Sequence, residues 1–384
     1  MPKLIQAEDV VTNFYTYEGV VKALNKVGLV VDHGATFGLV GESGCGKSVM
    51  VRSMMRIVQE PGQIEGGKVV LFFNGDQQQE AVDLLQQSEA YMEDLRGNHI
   101  SMIFQEPNAA LNPIMSIGDQ ISESFLFHRK KEMSKKILED LSADDCRVFL
   151  PLKKLQQTLY TIAADNPKSF ILIICSKIPI LSLWQRRLKR EALQRSIDII
   201  RKLSISNPSE TVHRYPHNLS GGMKQRIVIA IALACHPMLL IADEATSNLD
   251  VTIQAQILEL LKDLKKTEIA SILLITHDLG IVAETCDRVG VMYAGNLCEV
   301  ADVEKLFQNP QHPYTKALLE SVPKFSQEGR LRSIDGAVPN LVSPPSGCRF
   351  HPRCSHAMEI CKQTFPEEIE IEENHMVACH LYVK

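Results

Sequence analysis

The sequence predicts an α/β protein with a parallel sheet at its centre, a helical insertion, and a small loop-rich C-terminal region. Three observations carry that expectation. Bare apolar runs at residues 36–40, 238–242 and 271–276 read as strands covered on both faces, as in a parallel sheet. Helical patterns alternate with them, which is the order of an α/β core. From about Gly329 the periodicity stops, Pro339, Pro344, Pro345 and Gly347 punctuate the chain, and cysteines come after them.

Taken in order, residues 4–11, 20–24 and 27–31 alternate apolar and polar side chains and predict short strands. The run 36–40 leads into a glycine-rich loop, 48–58 reads as a helix and 64–73 as a strand. Residues 84–99 are polar and helical, and 100–104 form a short apolar strand ending at Gln105. The stretch 118–206 is mostly helical with Lys/Arg-rich faces. A helix at 251–264 and a strand at 289–293 complete the core. A first domain is expected over 1–325, with its helical insertion at about 118–206, and a C-terminal region over 326–384.

At 384 residues, with 45% apolar and 23% charged side chains, the chain has room for a full core and about two domains. Its net charge of −5 gives no hint of general nucleic-acid affinity. Charge is uneven, however. Residues 125–205 hold 17 Lys and Arg against 8 Asp and Glu. Such a block can face lipid or an acidic partner, or be a solvated helical face. No segment reaches the roughly 18 apolar residues of a spanning helix; the nearest, 170–184, is interrupted by Lys177 and Pro179. The first residues are too polar for a secretory signal. The expectation is a cytoplasmic protein that reaches a membrane through partners.

Gly41-Glu42-Ser43-Gly44-Cys45-Gly46-Lys47-Ser48 lies between a strand and a helix. Glycines there let backbone N–H groups turn inward around phosphate oxygens at a helix N-terminus. Lys47 would reach the β and γ phosphates and Ser48 would bind Mg²⁺. A second strand ends in Asp243-Glu244. That places two carboxylates at the carboxyl edge of the sheet, Asp243 to hold Mg²⁺ and Glu244 to act as general base on water. Leu219-Ser220-Gly221-Gly222-Met223 heads another helix and makes a second phosphate-binding nest.

With these motifs the chain resembles the ATPase subunits of ABC transporters, whose signature reads LSGGQ, with Met223 in place of the glutamine. The resemblance implies a P-loop NTPase cassette, a RecA-like core plus a helical subdomain, carrying a small Cys-rich C-terminal region. It implies that 1–325 is the ATP-binding domain, and that Ser220, Gly221 and Gly222 close on ATP held by a partner cassette. It makes Gln105 the glutamine that touches Mg²⁺ and senses the membrane subunit, Asp250 the D-loop aspartate, and His277 the switch histidine on the γ-phosphate. An aromatic near the N-terminus should stack on adenine, with Tyr17 and Phe14 as candidates.

The resemblance narrows further. Ala-Leu-Asn-Pro (110–113), Asp-Val-Thr-Ile-Gln-Ala-Gln-Ile (250–257), Thr-His-Asp-Leu-Gly (276–280) and His-Pro-Tyr-Thr-Lys-Ala-Leu-Leu (312–319) look like the oligopeptide/dipeptide importers, a subfamily that also holds nickel and antimicrobial-peptide importers. Ten cysteines are present; Cys45, Cys146, Cys175, Cys235, Cys286 and Cys298 are scattered, whereas Cys348, Cys354, Cys361 and Cys379 crowd the tail as C-x5-C-x6-C-x17-C. Four thiolates suit Zn²⁺ or an iron–sulfur cluster. The absence of C-x₂₋₄-C knuckles and the tail pattern of the resembled subfamily together favour [4Fe–4S]. His351, His356, His375 and His380 lie near enough in sequence to replace a ligand, and four unliganded thiols are the plain alternative.

The chain departs from the resembled family at Ala245, where proline is usual, and at Asn248, where alanine is usual. Gln105 and Ser220 are also 115 positions apart, with the excess near 130–195. The resemblance implies an ATP-hydrolysing subunit on the cytoplasmic face of the inner membrane. It would pair with a second cassette, a paralogue or itself, and drive two permeases supplied by an extracytoplasmic peptide-binding protein. The rivals are a soluble ABC ATPase of DNA repair or translation, and a cassette that binds ATP without hydrolysing it.

Overall fold

The computed structural model describes residues 2–74, 79–142, 150–167, 169–177, 184–245, 250–267, 271–321 and 334–383. They form two compact units. One comprises Met1–Glu93, Met238–Ser247 and Leu261–Lys384, the other Asp94–Pro237 and Asn248–Leu260.

The first unit opens with β1 (Lys3–Thr16) and β2 (Gly19–Asp32), an antiparallel hairpin. The interrupted alternation predicted several short strands here. The breaks are bulges instead: Asp9 and Lys26 take φ of 48° and 52°, the register slips between Ala7 and Val10, and pairing continues on either side. After β3 (Thr36–Val40), strands β4 (Gly62–Asn74) and β5 (Gln79–Asp83) complete this sheet in the order β2-β1-β4-β5. Residues 84–99 hold only a 3₁₀ turn at Leu84–Gln86 and a helix at Glu89–Leu95.

The second unit holds β6 (Ile100–Ile103), and its other described elements are helices. Its helices include Ile117–His128, Lys130–Ser142, Leu150–Asp165, Phe170–Lys177, Trp184–Lys202 and Gly221–Leu233. Trp184 and Tyr160 are fully buried and meet edge to face at 5.7 Å, and Lys130 Nζ lies 5.2 Å over the indole. Within the basic block, Lys136 pairs with Glu191 at 2.7 Å, and Arg195 with Glu132 at 2.8 Å and Glu191 at 3.1 Å. Exposed pairs of this kind contribute little to stability, typically below about 1 kcal/mol.

The main sheet of the first unit adds β7 (Leu239–Asp243), β8 (Ser271–Ile275), β9 (Arg288–Tyr293), β10 (Asn296–Asp302), β11 (Glu368–Glu372) and β12 (His375–Ala378). Within this unit they run in the order β11-β12-β10-β9-β3-β8-β7. β3 is parallel to both β8 and β9, and β7 is parallel to β8. The five residues of β3, β7 and β8 are all buried, as their bare apolar runs require. Their ends are in register, since Leu39 and Asp243 both face Ile275. That register brings the residues just beyond each strand to one edge of the sheet. The tail is less irregular than its composition implies: β12 pairs antiparallel with β10 and β11 with β12, so the C-terminal residues extend the main sheet.

Candidate functional site

The loop after β3 is shaped by close approaches. Gly41 has φ +149°, and a Cβ there would lie 2.2 Å from Met292 O. Gly46 caps the helix Lys47–Met54 with φ +107°, and its Cβ would fall 2.9 Å from Ala23 O. No side chain fits either position, so glycine is required at both. Lys47 is buried, its ammonium donating to Gly41 O at 2.8 Å and Glu42 O at 3.1 Å. Cys45 is buried beside it and Ser43 and Gly44 are exposed. Burial pushes the Cys45 thiol up, against the opposing pull of Lys47, so it is not a reactive thiolate.

Ser48, in the first turn of that helix, donates from Oγ to Asp243 Oδ1 at 2.8 Å. Asp243 is the last residue of β7 and is buried, and its carboxyl is raised above the ordinary carboxylate range by that burial. A hydroxyl and a desolvated carboxylate held together beside Lys47 form a donor set suited to Mg²⁺, which takes few protein oxygens. Glu244 comes next with φ 46°, its N–H bonded to Ile275 O at 3.0 Å. This left-handed turn is uncommon for glutamate and moves its side chain off the line of β7. His277, two residues beyond β8, brings Nδ1 to 3.6 Å from Glu244 Oε1, with side chains 59% and 15% exposed respectively. The predicted base and switch histidine are therefore neighbours.

Tyr17 stands 97% exposed at the β1–β2 turn, whereas the Phe14 ring packs against Gly62, whose Cβ would come within 2.6 Å of it. Of the two aromatics, Tyr17 has the free face. Ala245 is buried, and Asn248 lies outside the described residues.

In the second unit, Gln105 is exposed just beyond β6. Ser220 is the N-cap of Gly221–Leu233, accepting from Met223 N at 3.4 Å. Ser220 and Gly221 are exposed, and a Cβ on Gly222 would press Ile253 at 3.0 Å. Asp250 accepts from Ile253 N at 2.9 Å, heading the helix Val251–Thr267.

The tail supplies contacts that sequence reading missed. Arg353 Nη1 and Nη2 grip the Glu42 carboxylate at 2.7 and 3.1 Å, and Tyr314 Oη accepts from Glu42 N at 2.9 Å. Glu299, on β10, is buried and accepts from Gln311 N, His312 N and His375 Nε2 at 2.8, 2.9 and 2.8 Å. His375 thus gives Nε2 to Glu299, while its buried Nδ1 has no hydrogen-bond partner among the described residues. His351 Nδ1 is likewise paired with Cys348 O, and His380 Nε2 with Thr364 O.

Among the described residues, no group of three or more His, Cys, Asp or Glu is placed to hold a metal ion. The expected metal centre is thus not present as a ready-made site. Cys348 N donates to Cys361 O at 2.8 Å, and burial raises the Cys348 thiol to about 11, with Cys361, Cys379 and Cys354 adding to the shift. Cys379 in turn feels Cys354 and Cys361 after burial. Cys298, which the sequence left among the scattered cysteines, is buried, its thiol pushed up by burial and then by Cys348. All these thiols are free.

Comparison with known proteins places this geometry. The ABC transporter family profile matches residues 24–247, and that of the oligopeptide/dipeptide transporter C-terminal region matches residues 298–361. The chain is 39% identical over 379 residues to a probable peptide ABC transporter ATP-binding protein, y4tR, of Sinorhizobium fredii, covering 98% of this chain and 94% of that one. It is 39% identical over 383 residues to the dipeptide transport ATP-binding protein DppD of Bacillus subtilis, covering 99% and 95%. Its fold resembles that of MJ0796, a bacterial ABC transporter cassette solved as a dimer, with a TM-score of 0.54 at 19% identity over 78% of this chain and 99% of that one. Matched by family profiles over residues 24–247 and 298–361, this chain belongs to the ABC transporter family, as one of its ATP-hydrolysing cassettes.

Proposed function

We propose that the chain powers uptake of di- or oligopeptides across the cytoplasmic membrane as the ATPase subunit of an importer. One observation carries the reading. A nucleotide edge built from Gly41–Ser48, Asp243, Glu244 and His277 lies in the same compact unit as a C-terminal region of oligopeptide/dipeptide transporter type. Relatives named for dipeptide and oligopeptide transport, matched over nearly their whole length, support it.

In this reading Gly41–Ser48 cradles the triphosphate and Lys47 exchanges its loop carbonyls for β/γ oxygens. Ser48 and Asp243 would hold Mg²⁺, which would neutralise charge on the phosphates, and Gln105 keeps the Mg²⁺-sensing role that the resemblance implies. Glu244 accepts a proton from the attacking water, and His277 beside it stabilises charge on the γ-phosphate. Tyr17 stacks on adenine. Ser220, Gly221, Gly222 and Asp250 serve the ATP of a second cassette, which is why that nest is exposed. Among the described residues no helix is long and apolar enough to cross a membrane. The cassette pair would accordingly bind two permeases as a peripheral assembly, and a separate extracytoplasmic peptide-binding protein would deliver substrate. The four tail thiols Cys348, Cys354, Cys361 and Cys379 are proposed to hold a [4Fe–4S] cluster, a reading that the resemblance of the tail pattern to the peptide importers supports.

The test is ATPase activity and peptide uptake in proteoliposomes holding the assembled complex. Peptides should stimulate hydrolysis and accumulate inside, and Glu244→Gln should cut hydrolysis by roughly 10²–10⁴-fold while ATP still binds. Accumulation of nickel without peptides would transfer the chain to the metal importers. An unchanged rate in Glu244→Gln would make it a regulatory cassette.

A further inference from the structure

Both ends of Glu42 are held by residues far along the chain. Its N–H is taken by Tyr314 Oη at 2.9 Å, and its carboxylate by the Arg353 fork at 2.7 and 3.1 Å. Arg353 is itself fixed: Nε donates to Asp335 O at 2.8 Å, Nη2 to Ile334 O at 3.2 Å, and the guanidinium lies 5.7 Å over the Tyr293 ring. Its side chain is 5% exposed and that of Glu42 27%. Glu42 O meanwhile accepts from Cys45 N at 3.2 Å and Lys47 Nζ at 3.1 Å. One residue thus connects the tail's guanidinium to the ammonium meant for phosphate.

We propose that Arg353, in the tail beside Cys354, is a positioning residue for ATP: it neutralises and pins the Glu42 carboxylate, and through Glu42 sets the phosphate loop and Lys47. A carboxylate inside a polyphosphate-binding loop repels its ligand unless paired, and a planar bidentate fork both cancels its charge and fixes its direction. A lysine could cancel the charge but not fix the plane. The proposal rests on reading Gly41–Ser48 as the nucleotide loop.

The experiment is a double-mutant cycle on the full-length chain, read by binding of a fluorescent ATP analogue and by the split of kcat from KM. Arg353→Gln should weaken ATP binding by roughly tenfold, the loss of one charge-assisted pair, and raise KM with kcat nearly kept. In a Glu42→Gln background the same change should cost less than about twofold, because no carboxylate remains to be pinned. Arg353→Lys, which keeps charge and stem, covers the case in which the glutamine variant does not fold. It should show a smaller loss that also vanishes with Glu42→Gln. Equal losses in both backgrounds, or unchanged ATP affinity in a folded Arg353→Gln chain, would overturn the proposal. Lys47→Ala controls for the underlying reading: if that variant binds ATP normally, the loop assignment fails whatever Arg353 does.

Discussion

Ser48 Oγ donates to Asp243 Oδ1 at 2.8 Å, joining two motifs 195 positions apart in the chain. Helix and strand meet there because Asp243 ends β7 in register with Ile275, which is in turn in register with Leu39, one residue before the end of β3. Neither oxygen alone suggests a metal site, but the pair is the donor set proposed for Mg²⁺. Asp243→Asn should raise the Mg²⁺ concentration for half-maximal ATP hydrolysis by about tenfold or more, since it removes the charged oxygen of the pair. Ser48→Ala should raise it less. A Mg²⁺ titration of ATPase rate decides the matter, and an unshifted curve for Asp243→Asn would remove the residue from the metal site.

How much of this was legible in the sequence depended on whether the information was local. Gly41 to Ser48 announces itself because strand, loop and helix are contiguous, and the glycines are needed where Met292 O and Ala23 O approach. Asp243 and Glu244 were legible as the end of a bare apolar strand. Arg353 was not: its partner Glu42 lies 311 positions away, and no local pattern marks a buried ion pair. The extent of β1 and β2 was misjudged because bulges at Asp9 and Lys26 break alternation without ending the pairing. The tail strands were missed because β11 is Glu-Ile-Glu-Ile-Glu and β12 has four residues, too polar and too short to signal a strand beside prolines and cysteines.

His312 makes stability depend on pH. It caps the helix Pro313–Glu320, its Nδ1 accepting from Tyr314 N at 3.0 Å, and so helps hold the residue that grips Glu42. Burial, and then Lys316, lower its pKa to about 3, against about 6.5 for an unfolded imidazole. A base with a depressed folded pKa adds stability that is fully present above about pH 6.5 and is lost as pH falls toward 3. Between pH 6.5 and 5.5 this amounts to about 1 kcal/mol. His312→Asn keeps a capping acceptor but has no proton to gain. Its urea-unfolding free energy should therefore fall less than that of wild type over this interval, by about that amount. Parallel curves for the two proteins would show that His312 does not carry the pH dependence.

If the tail thiols hold a metal as proposed, its binding would be coupled to the loss of their protons. Cys348, Cys354 and Cys379 all have pKa values raised, by burial first, so bare thiols here stay protonated at neutral pH. Cluster or metal binding must expel those protons, and the cost has to be met by the bonds to the metal. Protein purified without oxygen should accordingly hold about four irons per chain and a visible-range charge-transfer band. Cys354→Ser should lose both. Cys354 is also the informative choice because it adjoins Arg353: iron can be counted in a variant whose Glu42 contact is still tested by ATP affinity. Zinc at about one per chain with no iron would favour the tetrahedral alternative. Neither metal, with the thiols slow to react until the chain is unfolded, would leave four protonated, buried or part-buried thiols whose role is packing, because protonated cysteines are poor nucleophiles.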